Sequence, residues 1–385
     1  MTKKIIIIFI IFLITGCYDH QELNEIAILT ATEINKIDDE FILNIEIVNP
    51  MSPDKTTVIE SPFTIYQSKG KTIQEAYRLL KLSSPRYIYP DHLRIVIINE
   101  KLAKEDISEI LDFYLRNPLA RTEFKILITK DENILNSITP IDPISSNSIL
   151  DTLETSSNYL GITNLVTLND LTTMYLNPNT EIILPTIELV KEEKDSNSLE
   201  NIQKTETSPI YKLGPLAIFK DNKLKGYLTN EESITYNLIK NKINNSIITY
   251  ECNKNKYLSL EIIKSNSTIS TKKEEINIDI SIEGTINESA CNINLNNKES
   301  ITNLENNLTN YLKENITNNI NRIRNTYNID IFGFLDIIYK YDYQTYKKIK
   351  DTWYDNTFKN IKINVNPKIK IIAKGKIMEG INEKD

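Results

Sequence analysis

Phe41, Leu43, Ile45 and Ile47 alternate with mostly polar neighbours, and a similar run covers residues 27–34. Alternation with period two predicts two strands, and Asp38-Asp39 between them predicts the turn that joins them. A third strand is expected over residues 57–67. From Thr72 the period lengthens: Ile73, Ala76, Tyr77 and Leu80 recur at helical spacing. The apolar run 93–98 reads as a strand, Leu102, Ile107, Ile110, Leu111 and Tyr114 as one face of a second helix, and 124–128 as another strand. Residues 134–147, rich in Ser, Asn and Pro, read as a connection. Residues 165–176 and 181–190 read as a short helix and a strand.

The pattern then stops. Residues 191–208 carry only Leu199 and Ile202 as apolar side chains, too few to order a segment by burial, so a linker or long loop is expected. Beyond it, strands over 216–219 and 223–228 flank Asp221-Asn222 as a hairpin, with further strands over 257–264 and 276–282. Ile301, Leu304, Leu308, Leu312, Ile316, Ile320 and Ile323 mark one face of a long helix. These positions break heptad register and the opposite face is not rich in Lys and Arg, so the helix should pack on a sheet rather than pair as a coiled coil or lie on a membrane. A helix around 346–358 precedes a final alternating strand from Ile361 to Ile371. The predicted class is α+β: a multi-domain mixed α/β ectodomain whose sheets carry helices on one face. Its expected division is 17–190, with room for two subdomains, the linker 191–208, and 209–385.

Ahead of these elements stand Lys3, Lys4 and ten unbroken apolar residues from Ile5 to Ile14, followed by Thr15-Gly16-Cys17. The apolar run fits a secretory signal core and is too short to cross a bilayer as a helix. Small residues before a cysteine make this a lipoprotein signal peptide, residues 1–16, cut between Gly16 and Cys17 after a diacylglyceryl group is placed on the Cys17 sulfur. Two acyl chains hold a protein stably on a membrane. The expected location is the outer face of a bacterial cytoplasmic membrane.

At 385 residues, 40% hydrophobic and 25% charged, the chain is globular material for two or three domains. Its formal charge is −7, and loss of Lys3 and Lys4 with the signal makes it −7 − 2 = −9. Such a surface repels nucleic acid and anionic head groups, so neither is an expected partner and the lipid should do the membrane binding. Lipidation of Cys17 leaves Cys252 and Cys291 as the pair open to a disulfide, with two buried thiols as the alternative.

Catalytic signals are weak. Gly70-Lys71-Thr72 matches the end of a phosphate-binding loop, but Ile65 stands where its first glycine is needed, and Thr72 with Glu75 makes a helix capping box instead. His20 and His92 have no companions at zinc-ligand spacing. His92 reads as a hydrogen-bonded structural residue. Gly-x-Ser-x-Gly and His-Glu-x-x-His are both absent from the sequence. Asp39-Glu40 and Glu192-Glu193 read as solvated carboxylates, although a hydrolase needs only two carboxylates placed by the fold. No metal or cofactor is expected beyond the diacylglycerol on Cys17.

The segment from Cys17-Tyr18-Asp19-His20-Gln21-Glu22-Leu23 to Ala31 resembles the mature start of the Ger(x)C family of spore germination lipoproteins, the C subunits of nutrient germinant receptors. The resemblance runs on through Gly70-Lys71-Thr72-Ile73-Gln74-Glu75-Ala76, Asp91-His92-Leu93-Arg94-Ile95-Val96 and Ile110-Leu111-Asp112-Phe113-Tyr114-Leu115-Arg116 with Arg121. It returns from Leu216 through Asp221-Asn222 to Leu228, at Glu283-Gly284-Thr285-Ile286-Asn287-Glu288, and at Asp330-Ile331-Phe332-Gly333 with Trp353 beyond. Tyr18 replaces the family's usual Trp, and Leu335 follows Gly333-Phe334 where a second glycine is common. The resemblance implies a non-enzymatic, three-domain subunit on the outer side of the spore inner membrane, partnered by an A subunit and a transporter-like B subunit. It implies no catalytic residues. Two other functions stand beside this one: a lipoprotein that binds the germinant in its own pocket, and a lipid-anchored cortex peptidoglycan hydrolase.

Overall fold

Two adjacent residues with left-handed backbone close the first hairpin: Asp38 and Asp39 have φ of 51° and 62°, the geometry that matches strand twist in a two-residue loop. They join β1 (Ile26–Ile37) to β2 (Glu40–Val48), and β3 (Phe63–Gly70) pairs with β2 on its other side. The structure is a computed structural model and describes residues 25–48, 61–117, 121–136, 142, 144–190, 211–272 and 274–373. The signal peptide, Gly16, Cys17, His20, Glu192-Glu193 and the predicted linker 191–208 lie outside the described residues, as do residues 57–60 of the third predicted strand.

From β3 the chain passes through α1 (Ile73–Leu79), β4 (Tyr87–Tyr89), β5 (Ile95–Asn99), α2 (Glu100–Glu105), α3 (Ser108–Arg116), β6 (Lys125–Thr129), α4 (Ser145–Tyr159), α5 (Leu168–Leu176) and β7 (Ile183–Leu189). The single helix expected over Leu102 to Tyr114 is two. Asp106 is fully extended and its carboxylate accepts from the Ser108 N–H at 2.7 Å, which ends one helix and starts the next. The expected connection 134–147 runs into α4, unforeseen because its buried positions include Ser145, Ser146 and Ser157 beside Ile149 and Leu153.

After the polar segment, β8 (Tyr211–Lys220) and β9 (Lys223–Tyr227) turn at Asp221 and Asn222, again with φ of 51° and 61°. This hairpin does not open a separate C-terminal sheet. It pairs with β7 and completes a sheet in the order β3-β2-β1-β5-β6-β7-β8-β9, with β4 beside β1. The physical reason lies in its two faces: Ala217 and Phe219 join the core beneath β1, β2, β5 and β6, while Leu216 and Ile218 pack into the second domain's core. The large sheet thus takes strands from both sides of residue 209.

The second domain follows with α6 (Asn230–Ile239), β10 (Ser246–Asn253), β11 (Lys256–Lys272), β12 (Glu275–Ser289), α7 (Lys298–Tyr327), α8 (Phe334–Tyr341), α9 (Tyr343–Ile349) and β13 (Lys362–Ala373). Its sheet runs β10-β11-β12-β13, the last pair parallel. Leu304, Leu308, Leu312, Ile316, Ile320 and Ile323 of α7 are buried in one cluster with Leu258, Leu260, Ile276, Ile278 and Ile280 of the sheet. The same helix covers the sheet's free edge: the Ile369 N–H donates to Thr309 Oγ1 (3.3 Å) and the Ile371 N–H to Glu305 Oε1 (2.9 Å), satisfying amides an edge strand would otherwise expose. The helix expected over 346–358 is broken. α9 ends at Ile349, and a wide turn, Trp353–Thr357, carries the indole of Trp353 inward.

Cys252, in β10, and Cys291, just after β12, are bonded to each other, with Cα atoms 6.1 Å apart. The small sheet has its helix on one face. In the large sheet α1, α2, α3 and α5 supply one face, and Ile149 and Leu153 of α4 pack with Ala31, Ile95 and Ile97 on the other.

Candidate functional site

Gly70 ends β3 where the chain must approach α1 closely: a Cβ there would lie 2.6 Å from the Ala76 nitrogen. Thr72 Oγ1 accepts from the Glu75 N–H (3.1 Å), and the Glu75 carboxylate accepts from the Lys71 N–H (2.7 Å). The Gly-Lys-Thr triplet is therefore a helix start. Along α1 the capped turn presents Tyr77 and Arg78 to a groove of about 860 Å³, whose opposite wall is Phe113 and Arg116 of α3 and whose ends are Tyr87 and Tyr175. The Tyr77 and Phe113 rings lie 6.2 Å apart, and Lys81 Nζ sits 5.3 Å from the Tyr87 ring centre. Aromatic walls with cations at the rim suit a small ligand with a flat or apolar body and an anionic group.

Two carboxylates line the groove. Glu109 and Asp112 lie on one helix, three residues apart. Asp112 is held by Arg116 at 2.7 Å. Among the described residues no group of His, Cys, Asp and Glu could hold a metal ion. His92, expected as a hydrogen-bonded structural residue, is exposed, with its ring 6.3 Å from that of Tyr89. It sits at the end of a short turn, Pro90–His92, and its side chain makes no hydrogen bond among the described residues.

A second constellation lies where the domains meet. Glu181, ahead of β7, takes an ion pair from Lys220 at 2.9 Å and a hydrogen bond from the Tyr354 hydroxyl at 2.5 Å. Close by, Asp330 accepts from the Leu335 N–H at 2.9 Å, and Lys240 donates to the Phe332 carbonyl at 3.1 Å. Burial pushes the Asp330 carboxyl up to about 6 and the Lys240 amine down. Asn237 on α6, fully buried, donates to the carbonyls of Gly161 (2.8 Å) and Thr163 (3.1 Å) and accepts from Asn164. The Asn237 amide, with its nitrogen and its oxygen both bonded across the junction, fixes the docking geometry between the domains, while Asn164 Oδ1 has no partner among the described residues. Periodicity could not reveal them, because each partner comes from a different element.

Residues 19–189 match the spore germination protein N-terminal domain, and residues 215–375 match the spore germination B3/GerAC-like C-terminal domain. The chain is 30% identical over 363 residues to spore germination protein KC of Bacillus subtilis (strain 168), covering 89% of this chain and 88% of that one. The chain belongs to the Ger(x)C family of spore germination proteins. Its role is accordingly in spore germination. A second relative, the putative spore germination protein YfkR of the same organism, is 22% identical and covers 99% of this chain and 98% of its own. The crystal structure of the GerBC protein superposes with a TM-score of 0.53 at 16% identity, covering 89% of this chain and 96% of that chain, so the multi-domain mixed α/β fold is shared. No helix among the described residues of this Ger(x)C protein is long and apolar enough to cross a membrane.

Proposed function

We propose that this protein is the lipid-anchored subunit of a nutrient germinant receptor in the spore inner membrane, a non-enzymatic component held on the outer face through diacylglycerol on Cys17 and assembled with A- and B-type membrane subunits. The observation that carries the reading is the pairing of a lipoprotein cleavage signal, Thr15-Gly16-Cys17, with a family relationship that spans both domains. No other cofactor is required. A tether raises the effective concentration of a partner by about 10²–10⁴, so Cys17→Ala is expected to empty the spore membrane fraction of this protein and to slow nutrient-triggered germination by an order of magnitude or more. Normal fractionation and germination of the variant would refute the anchor.

The α1–α3 groove supports a second reading, in which this subunit takes the germinant itself. Calorimetry with candidate nutrients decides it: binding that Tyr77→Ala weakens about tenfold, the loss of one aromatic stack and its buried area, supports the groove. Absence of heat with every nutrient that triggers the spores removes it.

A further inference from the structure

The net charge of −7 averages over a surface that is locally the opposite. Between Asp336 and Asp351 the chain has four lysines, Lys340, Lys347, Lys348 and Lys350, against three carboxylates: Asp336 pairs with Lys340 at 2.6 Å, Asp351 pairs with Lys350 at 3.1 Å, and Asp342 caps α9 by accepting from Thr345 at 2.8 and 3.1 Å, which leaves Lys347 and Lys348 as the lysines without an ion pair among the described residues. Tyr339, Tyr341 and Tyr343 of α8 and α9 are 45%, 74% and 49% exposed. Their rings are ordered against one another, with Tyr339 and Tyr343 centred 5.8 Å apart and Lys347 Nζ 4.7 Å over Tyr343. Beside them Leu176 is 72% exposed, next to Asn177, whose side chain donates to Asp336 of α8 at 3.0 Å.

Exposed tyrosines among lysines have the composition of side chains at a membrane interface, where the ring lies at the level of the head groups and the ammonium meets lipid phosphate. The topology puts the chain's start at the same end of the molecule. β1, β5, β6 and β7 are parallel, so Ile26 and the residues leading into β7, among them Asn177 and Asn179, share one end of the sheet, with β1 and β7 about 14 Å apart. Tyr346 of α9 donates to Asn179 at 3.3 Å, fixing the patch there. Seven residues separate Cys17 from Glu25, and the eight steps between them reach at most about 28 Å.

We propose that the Tyr339–Lys348 face rests in the head-group layer of an anionic bilayer, a second membrane contact that orients the protein. The proposal rests on the lipid-anchor reading for its geometry. To test it, the full chain, processed by a lipoprotein-competent host, is reconstituted through its lipid into vesicles and treated with a membrane-impermeant amine reagent, with each lysine followed by mass spectrometry. A lysine near an anionic surface is held by a factor of about five. Lys347 and Lys348 should therefore react about fivefold more slowly on phosphatidylglycerol-containing vesicles than on pure phosphatidylcholine or in detergent, while exposed Lys256 on the β10–β11 hairpin is unaffected and high salt removes the difference. Equal rates on both lipids would overturn the proposal. So would protection that grows with protein concentration in detergent, which marks a second copy, or protection only when receptor membrane subunits are added, which marks a protein interface. Failure of the anchor shows separately, as a Cys17 without lipid mass. In that case sedimentation of the chain with the same anionic vesicles still decides, and Tyr341→Ser with Lys347→Glu and Lys348→Glu, all at exposed positions, should abolish it.

Discussion

Trp353→Ala should lower the stability of the second domain by about 3–5 kcal/mol, the usual loss on truncating a buried indole, seen as a lower urea midpoint in far-ultraviolet circular dichroism. Trp353 is 1% exposed and packs against Phe358 with ring centres 5.5 Å apart, inside the cluster that also holds α7 and the small sheet. The indole Nε1 is buried with no hydrogen-bond partner among the described residues. An unmade hydrogen bond of this kind costs about 1–3 kcal/mol, which makes the conservative variant informative. Trp353→Phe removes the orphaned donor as well as part of the ring, and the two effects oppose each other. It should cost no more than about 1 kcal/mol. If Phe proved as damaging as Ala, the ring's area would not be what the site requires.

The opposite faces of β8 show why part of this fold could be read from the chain and part could not. Both hairpin turns were legible, because Asp38-Asp39 and Asp221-Asn222 are residue types that tolerate the positive φ a tight turn needs. The long helix was legible from seven apolar positions on one face. Which sheet the second hairpin joins was not, since Leu216 and Ile218 serve one core and Ala217 and Phe219 the other. A strand buried on both faces carries no signal of its owner. α4 was hidden for another reason: Ser145 donates to the Leu135 carbonyl (2.8 Å) and the Ser146 N–H to Glu46, so hydrogen bonds rather than apolar periodicity hold its start. α6 has a capping box at Thr229 and Glu232, but its buried face includes Ser233, Thr235 and Asn237.

The chemistry divides in the same way. The lipidation expected at Cys17 rests on a local, linear signal that lies outside the described residues. The groove takes its walls from α1, α3 and the ends of other elements, and the tyrosine and lysine face was masked by a whole-chain charge of −7. Averages over sequence remove the contrast that a folded surface restores.

Glu33→Gln should change the pH dependence of stability by about 3 kcal/mol between pH 4 and pH 8. Glu33 lies on β1 and is 1% exposed, with Oε1 accepting from the Asn133 N–H at 2.8 Å and Oε2 lacking a partner among the described residues. Burial pushes its carboxyl up to about 7, against hydrogen bonds from Asn133, Asn44 and Leu135 that pull it down, with Glu132 adding a little repulsion. Below about pH 4.5 the group is protonated in both states and contributes nothing. As pH rises, the unfolded chain releases its proton first while the folded site keeps it, so stability falls through this window and levels off above about pH 7. Two and a half pH units at about 1.4 kcal/mol each give the figure of about 3 kcal/mol. A glutamine cannot ionise, so the variant should gain on the wild type steadily over that range, whatever fixed cost its amide adds. Parallel stability curves for the two proteins, measured by denaturant titration at pH 4, 6 and 8, would mean that Glu33 titrates alike in the folded and unfolded states and that burial does not raise its carboxyl. Glu46 beside it, bonded to Thr30 at 2.7 Å and to the Ser146 amide, is also pushed up by burial. Part of the residual slope in the variant should come from there and be removed in Glu33→Gln with Glu46→Gln, the remainder coming from other buried carboxyls such as Asp330. Together the two carboxylates hold the chain at Asn133 and at Ser146 against the sheet by accepting those two amide hydrogens, a contact that apolar residues of the same size would leave undefined.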